Sequence, residues 1–241
     1  MKASPQDQRS ILDIQGFDFA TSALANKIKN LPEAIELSST IIKANNARDL
    51  RIAAQTELSD VKRELLRAEG DVEQIVTRIT RDEARLSSGN ASPKELEQLQ
   101  HEVGSLNLRR SELEEIELEI MMRVEGINTR ISELENEEKS LAADIADLEI
   151  RKENALASLN NEIESIAKER SETLASVDTT FAQLYEKIRS GSGTGAAALV
   201  GGQCKGCHLS VNTVELGRIA ALPEDEVVRC EECRCILVRV H

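Results

Sequence analysis

The chain has 241 residues and a formal net charge of −13, with 43 acidic against 30 basic side chains. Aromatic residues make up 2 %, with no Trp, one Tyr and three Phe, while 30 % are charged; this composition suits long helices and excludes a large aromatic core. An acidic chain without a basic block neutralises few phosphates, so bulk nucleic acid and anionic membrane surfaces are not favoured as partners.

The first residues, MKASPQDQRS, carry no apolar signal core, and no run of about 18 apolar residues follows. A cytoplasmic, reducing setting is therefore expected. Residues 5–30 place Ile11, Leu12, Ile14, Phe17, Leu24 and Ile28 at helical spacing and predict a first helix. Leu31-Pro32-Glu33 interrupts it, because Pro lacks an N–H and suits the first turn of a new helix.

From Ala54 through Leu58, Val61, Leu65, Ala68, Val72, Ile75, Ile79 and Asp82 to Leu86, steps of four and three alternate, with Asp82 alone off type. That is a coiled-coil seam. Ser87–Glu95 then reads as a turn with a restart: Ser92 as N-cap, Pro93 at the first helical position and Glu95 closing a capping box. A second long helix follows, its seam running from Leu96 through Leu113, Ile127, Leu134 and Leu148 to Ile166. Consecutive four-residue steps at Ile116-Ile120-Val124 and Ala155-Leu159-Ile163 predict two stutters.

Residues 93–176 would span about 125 Å as helix and residues 32–88 only about 85 Å, a deficit of about 27 residues. The helix of residues 5–30 supplies that length. The expected architecture is an extended antiparallel hairpin over residues 1–189, with its tip near 87–93 and its first arm made of two helices in file, broken at 31–32. Dimerisation through leftover apolar stripes stays open. At the base, Phe17 and Phe19 are expected to pack on Phe181 and Tyr185. Residues 190–196, SGSGTGA, predict a flexible joint that leaves the following module free in orientation.

The module over residues 197–241 carries Cys204-Lys205-Gly206-Cys207 and Cys230-Glu231-Glu232-Cys233, with 22 residues between the pairs. Each Cys-x-x-Cys turn aims two sulfurs at one ion, and two turns complete a tetrahedral thiolate site, so Cys204, Cys207, Cys230 and Cys233 predict one structural zinc. Redox, iron–sulfur and disulfide uses of the same cysteines are the minor alternatives. Gly206 is expected to let the first turn curl around the metal. Short strands are expected near 198–202, 209–211, 227–229 and 236–240, with a helix from Asn212 to Ala221. Cys235 reads as a spare fifth thiol, and His101, His208 and His241 as solvated side chains. No catalytic or cofactor-binding residues emerge beyond the metal ligands.

Ser92-Pro93-Lys94-Glu95-Leu96, Tyr185-Glu186-Lys187-Ile188-Arg189, Leu199-Val200-Gly201-Gly202 and both cysteine pairs resemble a bacterial family with a coiled-coil hairpin and a four-cysteine zinc ribbon, in particular its actinobacterial members. The resemblance implies a mainly α fold ending in a small β-rich ribbon. It also implies a cytoplasmic, non-enzymatic protein holding one zinc. Other branches of the family are associated with flagellar or type III secretion control through a sigma factor, export components or messenger RNA. Here Arg234-Cys235 stands where relatives have Gly-Arg, and a positive φ at that position is easy for Gly and costs Arg about 1 kcal/mol.

Two functions follow as expectations. The first is an adaptor that docks protein partners. The alternative is a regulator whose ribbon touches nucleic acid or a sigma factor through Arg218, Arg229, Arg234 and Arg239. In residues 197–241 five basic side chains face six acidic ones, and four thiolates around a divalent ion add −2, which favours the adaptor.

Overall fold

The computed structural model describes residues 1–89 and 92–240; Asn90 of the expected tip turn and His241 lie outside the described residues. In chain order the elements are α1 (Pro5–Lys29), α2 (Pro32–Ser87), α3 (Pro93–Ala175), α4 (Thr179–Ser192), β1 (Ala196–Val200), β2 (Gln203–Cys204), α5 (Thr213–Ala221), β3 (Val228–Arg229) and β4 (Ile236–Arg239). The fold is thus mostly helical, a long helical hairpin with a small strand-containing C-terminal domain that carries the cysteines. Contacts divide it into two units, residues 1–35 with 150–241 and residues 36–149.

In the unit of residues 36–149, α2 and α3 pack along a heptad seam. The predicted α2 positions are all buried or half-buried, and the same alternation reaches back through Arg51, Ala47, Ala44 and Thr40 to Leu37. Thr40 and Arg51 hide that stretch from an apolar pattern. Arg51 can stand in the seam because its Nε donates to Glu138 of α3 at 2.6 Å. The first expected stutter is absent. Ile116 is 45 % exposed, and Glu117 is the half-buried residue between Leu113 and Ile120, which restores steps of four and three. A Glu stem covers the seam while its carboxylate reaches water. Asp82 occupies a fully inward position, with the guanidiniums of Arg78, Arg81 and Arg85 at 4.0, 3.7 and 4.0 Å. One of its carboxylate oxygens has no hydrogen-bond partner.

At the start of α3 the backbone N–H of Ser92 donates to Glu95 at 2.8 Å. This bond holds the Glu95 carboxyl below the usual carboxylate range. The Ser92 hydroxyl also turns to Glu95, at 2.7 Å, so one limb of the expected capping box is made by side chains alone.

In the other unit, α1 lies along the C-terminal part of α3, as the length argument requires. Leu31 is buried, and its carbonyl accepts from Ala34 and Ile35 at 3.1 and 3.2 Å, so the break after α1 is also the cap of α2. Phe181 and Tyr185 are fully buried on α4, but their α1 neighbours are Ile11 and Ile14 rather than the expected phenylalanines. Phe19 is 51 % exposed. Helical spacing explains this, since residues 11, 14, 15 and 18 share one face while 17 and 19 flank it.

The Tyr185 hydroxyl donates to Asp18 at 2.6 Å, and Asp18 also accepts two bonds from Arg170, at 2.8 and 3.2 Å. Burial and the Asp18 contact push the Tyr185 phenol well above its ordinary value. Hydrogen bonding to Asp18 raises that of the Arg170 guanidinium. Gln15 of α1 accepts from the backbone N–H groups of Gly195 and Ala196 at 2.6 and 3.2 Å.

Those last bonds replace the expected flexible joint. Residues 190–192 are the final turn of α4, Gly193 closes it at φ 80°, and Gly195 and Ala196 are buried. A Cβ on Gly195 would stand 2.4 Å from the Tyr185 ring, so glycine is there for close approach rather than freedom. Ala196, Ile236 and Val238 of the sheet share one core with Ile11, Ile14, Phe181, Tyr185 and Ile188. The ribbon is therefore seated on α1 and α4.

The sheet has the order β2-β1-β4-β3, with β1 and β4 parallel and both outer strands antiparallel to their neighbours. The strand expected at 209–211 is reduced to a single bridge between Ser210 and Gln203. Residues before α1 add to the edge of this domain: Ala3 donates to the Asp225 carbonyl at 2.8 Å and Val227 to that of Met1 at 3.0 Å.

Candidate metal centre

Each cysteine pair sits on a turn built the same way. In the first, Cys204 N–H donates to the Leu209 carbonyl at 3.0 Å and His208 N–H to that of Cys204 at 2.8 Å. In the second, Cys230 N–H donates to Cys235 at 2.9 Å and Arg234 N–H to Cys230 at 2.9 Å. The residue after the second cysteine has φ 62° in both turns, His208 in one and Arg234 in the other. The sequence comparison anticipates this for Arg234. His208 carries the same demand, and its matching place after Cys207 is the signal that could have revealed it.

These turns bring Cys204, Cys207, Cys230 and Cys233 together, with all four sulfurs within 4.8 Å of one another. Among these four, Cys204 approaches Cys233 and Cys207 approaches Cys230 across the two turns, both at 3.9 Å. Tetrahedral ligation with metal–sulfur bonds of about 2.3 Å requires sulfurs about 3.8 Å apart. The four cysteines could hold a metal ion in this arrangement. Their surroundings are apolar, formed by Ala197, Ile219, Val228 and Leu237 with Leu199, Val211 and Leu222. Burial pushes the Cys233 thiol up to about 11. A metal entering here must displace that proton.

Cys235 lies inside this core, fully buried, 3.3 Å from the Cys233 sulfur and 3.8 Å from that of Cys204. It is outside the set of four mutually close ligands. Its place in the second turn is that of Leu209 in the first, so the backbone does not ask for sulfur there. Gly206 has a reason other than a curled backbone: it is not at positive φ, and a Cβ would meet Ala197 at 3.0 Å and Thr194 at 3.3 Å. The layer above the metal turn has no room for a side chain.

The arginines of this domain are largely engaged. Arg239 donates to the carbonyls of Ile219, Leu222, Pro223, Glu224 and Glu226, closing the end of α5. Arg218 pairs with Glu215 at 2.7 Å, and Arg229 donates to the Arg234 carbonyl at 3.0 Å. His101 and His208 are exposed and lie outside the cysteine cluster.

A family model described as the CT398-like coiled coil hairpin domain matches residues 14–193. The chain is 32 % identical over 241 residues to "Uncharacterized protein Rv2229c" of Mycobacterium tuberculosis, covering 100 % of this chain and 98 % of that protein. A solved structure from Mycobacterium smegmatis superposes with a TM-score of 0.81 at 30 % identity, covering 100 % of both chains. That of CT398 from Chlamydia trachomatis has a TM-score of 0.68 at 20 % identity, covering 97 % of this chain and 98 % of the other, a likeness of fold. No helix among the described residues is long and apolar enough to cross a membrane.

Proposed function

This chain belongs to the CT398-like coiled coil hairpin family, and we propose that it is a non-enzymatic adaptor of the cytoplasm whose ribbon is held by one structural zinc ion on Cys204, Cys207, Cys230 and Cys233. The observation that carries the reading is the closed donor set. Four sulfurs within 4.8 Å of one another, two of the pairs at 3.9 Å, are enough to fill the coordination sphere of a zinc ion, with no position left for a substrate or an activated water. A metal so enclosed organises a surface instead of performing chemistry. On the hairpin, Leu66 of α2 and Leu118 and Met122, one turn apart on α3, are 69, 60 and 72 % exposed outside the seam, and these apolar side chains are the docking candidates.

The alternative, a ribbon that contacts nucleic acid, draws less support. Its electrostatic footprint would need free guanidiniums, and Arg239 and Arg218 are held by carbonyls and by Glu215.

Metal analysis of reduced protein should give one zinc per chain, lost in Cys204→Ser or Cys230→Ser; reduced protein without metal would overturn the zinc reading. For the adaptor, affinity capture is compared between the full chain and the variant Leu66→Asp, Leu118→Asp, Met122→Asp. Partners should be lost from the variant and kept by an untouched control. A capture profile indifferent to both these and the cysteine substitutions counts against docking.

A further inference from the structure

Four sulfurs suffice for the metal, and the fifth is not asked for by the turn that holds it, since Leu209 fills the equivalent place in the first turn at 51 % exposure. Yet Cys235 is fully buried and lies 3.3 Å from Cys233, the shortest of the close sulfur–sulfur approaches in the cluster. The two thiols differ in access. Cys233 is partly open to solvent, and Cys235 is sealed beneath it. We propose that Cys233 and Cys235 form a reversible oxidation pair beside the metal site, Cys233 being the thiol that hydrogen peroxide attacks and Cys235 the thiol that resolves the product. The proposal rests on the zinc reading above and adds a way for the ribbon to release its metal.

The chemistry closes without a further reactant. Cys233, which zinc binding would hold as the thiolate, gives its electron pair to one peroxide oxygen; an S–O bond forms, the O–O bond breaks, and hydroxide leaves, giving a sulfenic acid. The Cys235 sulfur then attacks the Cys233 sulfur. An S–S bond forms, the S–O bond breaks, and the departing oxygen takes up the Cys235 proton as water. Sulfur is oxidised by two electrons and peroxide is reduced to water. With Cys233 tied to Cys235, three ligands remain and the tetrahedral set is broken. A thiol reductant reverses the step, whereas a sulfenic acid without a neighbouring thiol proceeds to the sulfinic acid, which it cannot reverse. Competing pairs exist, Cys204 with Cys235 at 3.8 Å and Cys204 with Cys233 and Cys207 with Cys230 at 3.9 Å, and the test distinguishes them.

Arg229, Arg234 and Arg239 make the assignment measurable, because trypsin leaves Cys233 on residues 230–234 and Cys235 on residues 235–239. Full-length, reduced, zinc-loaded protein is treated with hydrogen peroxide, released zinc is read with a chromogenic chelator, and the alkylated digest is mapped by mass spectrometry. The expected result is zinc release together with a linked 230–234/235–239 peptide whose fragments join Cys233 to Cys235. After reductant and fresh zinc, the wild type should regain several-fold more metal than Cys235→Ser or Cys235→Ala, in which Cys233 should carry more sulfinic acid than in the wild type because Cys204, at 3.9 Å, is the more distant resolving thiol. Zinc release with Cys235 still alkylated, disulfides confined to the four ligands, Cys235 linked to Cys204 instead of Cys233, or equal recovery in wild type and variants would overturn the proposal. Reduced protein that never binds zinc would instead sink the proposed function, so the two failures are separable.

Discussion

At the scale of single residues, the ribbon tolerates a local conflict at Arg234 for the sake of its turn. A φ of 62° is costly for a side chain with a Cβ, so Arg234→Gly should stabilise the metal-loaded protein by up to about 1 kcal/mol, partly offset by the greater freedom of unfolded glycine. An unchanged or lower melting temperature would contradict that account. Gly195 is the opposite case. The Tyr185 ring stands where its Cβ would be, and Gly195→Ala should destabilise by about 1–3 kcal/mol, as overpacking does. Combining it with Tyr185→Leu should be clearly less than additive, because the obstacle is that ring.

Among elements, α2 and α3 show how a seam accommodates polar residues. Glu117, Arg51 and Glu138 fill inward positions with their stems and reach water or one another. Asp82 has no such escape, with an unpartnered oxygen at 2 % exposure. Its arginine neighbours are more than half exposed and lose little when left to water, whereas a carboxylate out of water is costly, so Asp82→Leu should raise the thermal stability of the hairpin; a lower melting temperature would show that the surrounding arginines outweigh desolvation. In α5, Arg218 holds the Glu215 carboxyl below its ordinary value of 4.5. A depressed folded value contributes stability above the ordinary pKa, lost as pH falls through the folded one. The stability gap between wild type and Glu215→Gln should therefore stay constant at neutral pH and close in acid, as melting curves against pH would record.

Across the whole molecule, the cysteine core and the aromatic core meet in one small sheet, β1 and β4 contributing to both. If the four cysteines hold the proposed zinc, chelating it should melt the ribbon and expose Tyr185 and Phe181, while far-UV circular dichroism keeps most of its helical signal; full retention of near-UV signal would refute this coupling. Truncation at residue 190 is a poor substitute, because it strips the cover from Ile11, Ile14 and α4. The amino-acid sequence by itself determined the hairpin, the break at Leu31-Pro32 and the four candidate ligands, because heptads, a proline and Cys-x-x-Cys pairs act at fixed short spacing. It misled at Ile116, where an apolar residue outranked the stem of Glu117, and at residues 190–196, where glycines read as freedom. Tertiary structure alone decided the seating of the ribbon on α1 and α4, the neighbours of Tyr185 and the burial of Cys235 against Cys233. These rest on contacts such as Gln15 to Gly195, 180 residues apart in the chain, whose energies no local pattern encodes.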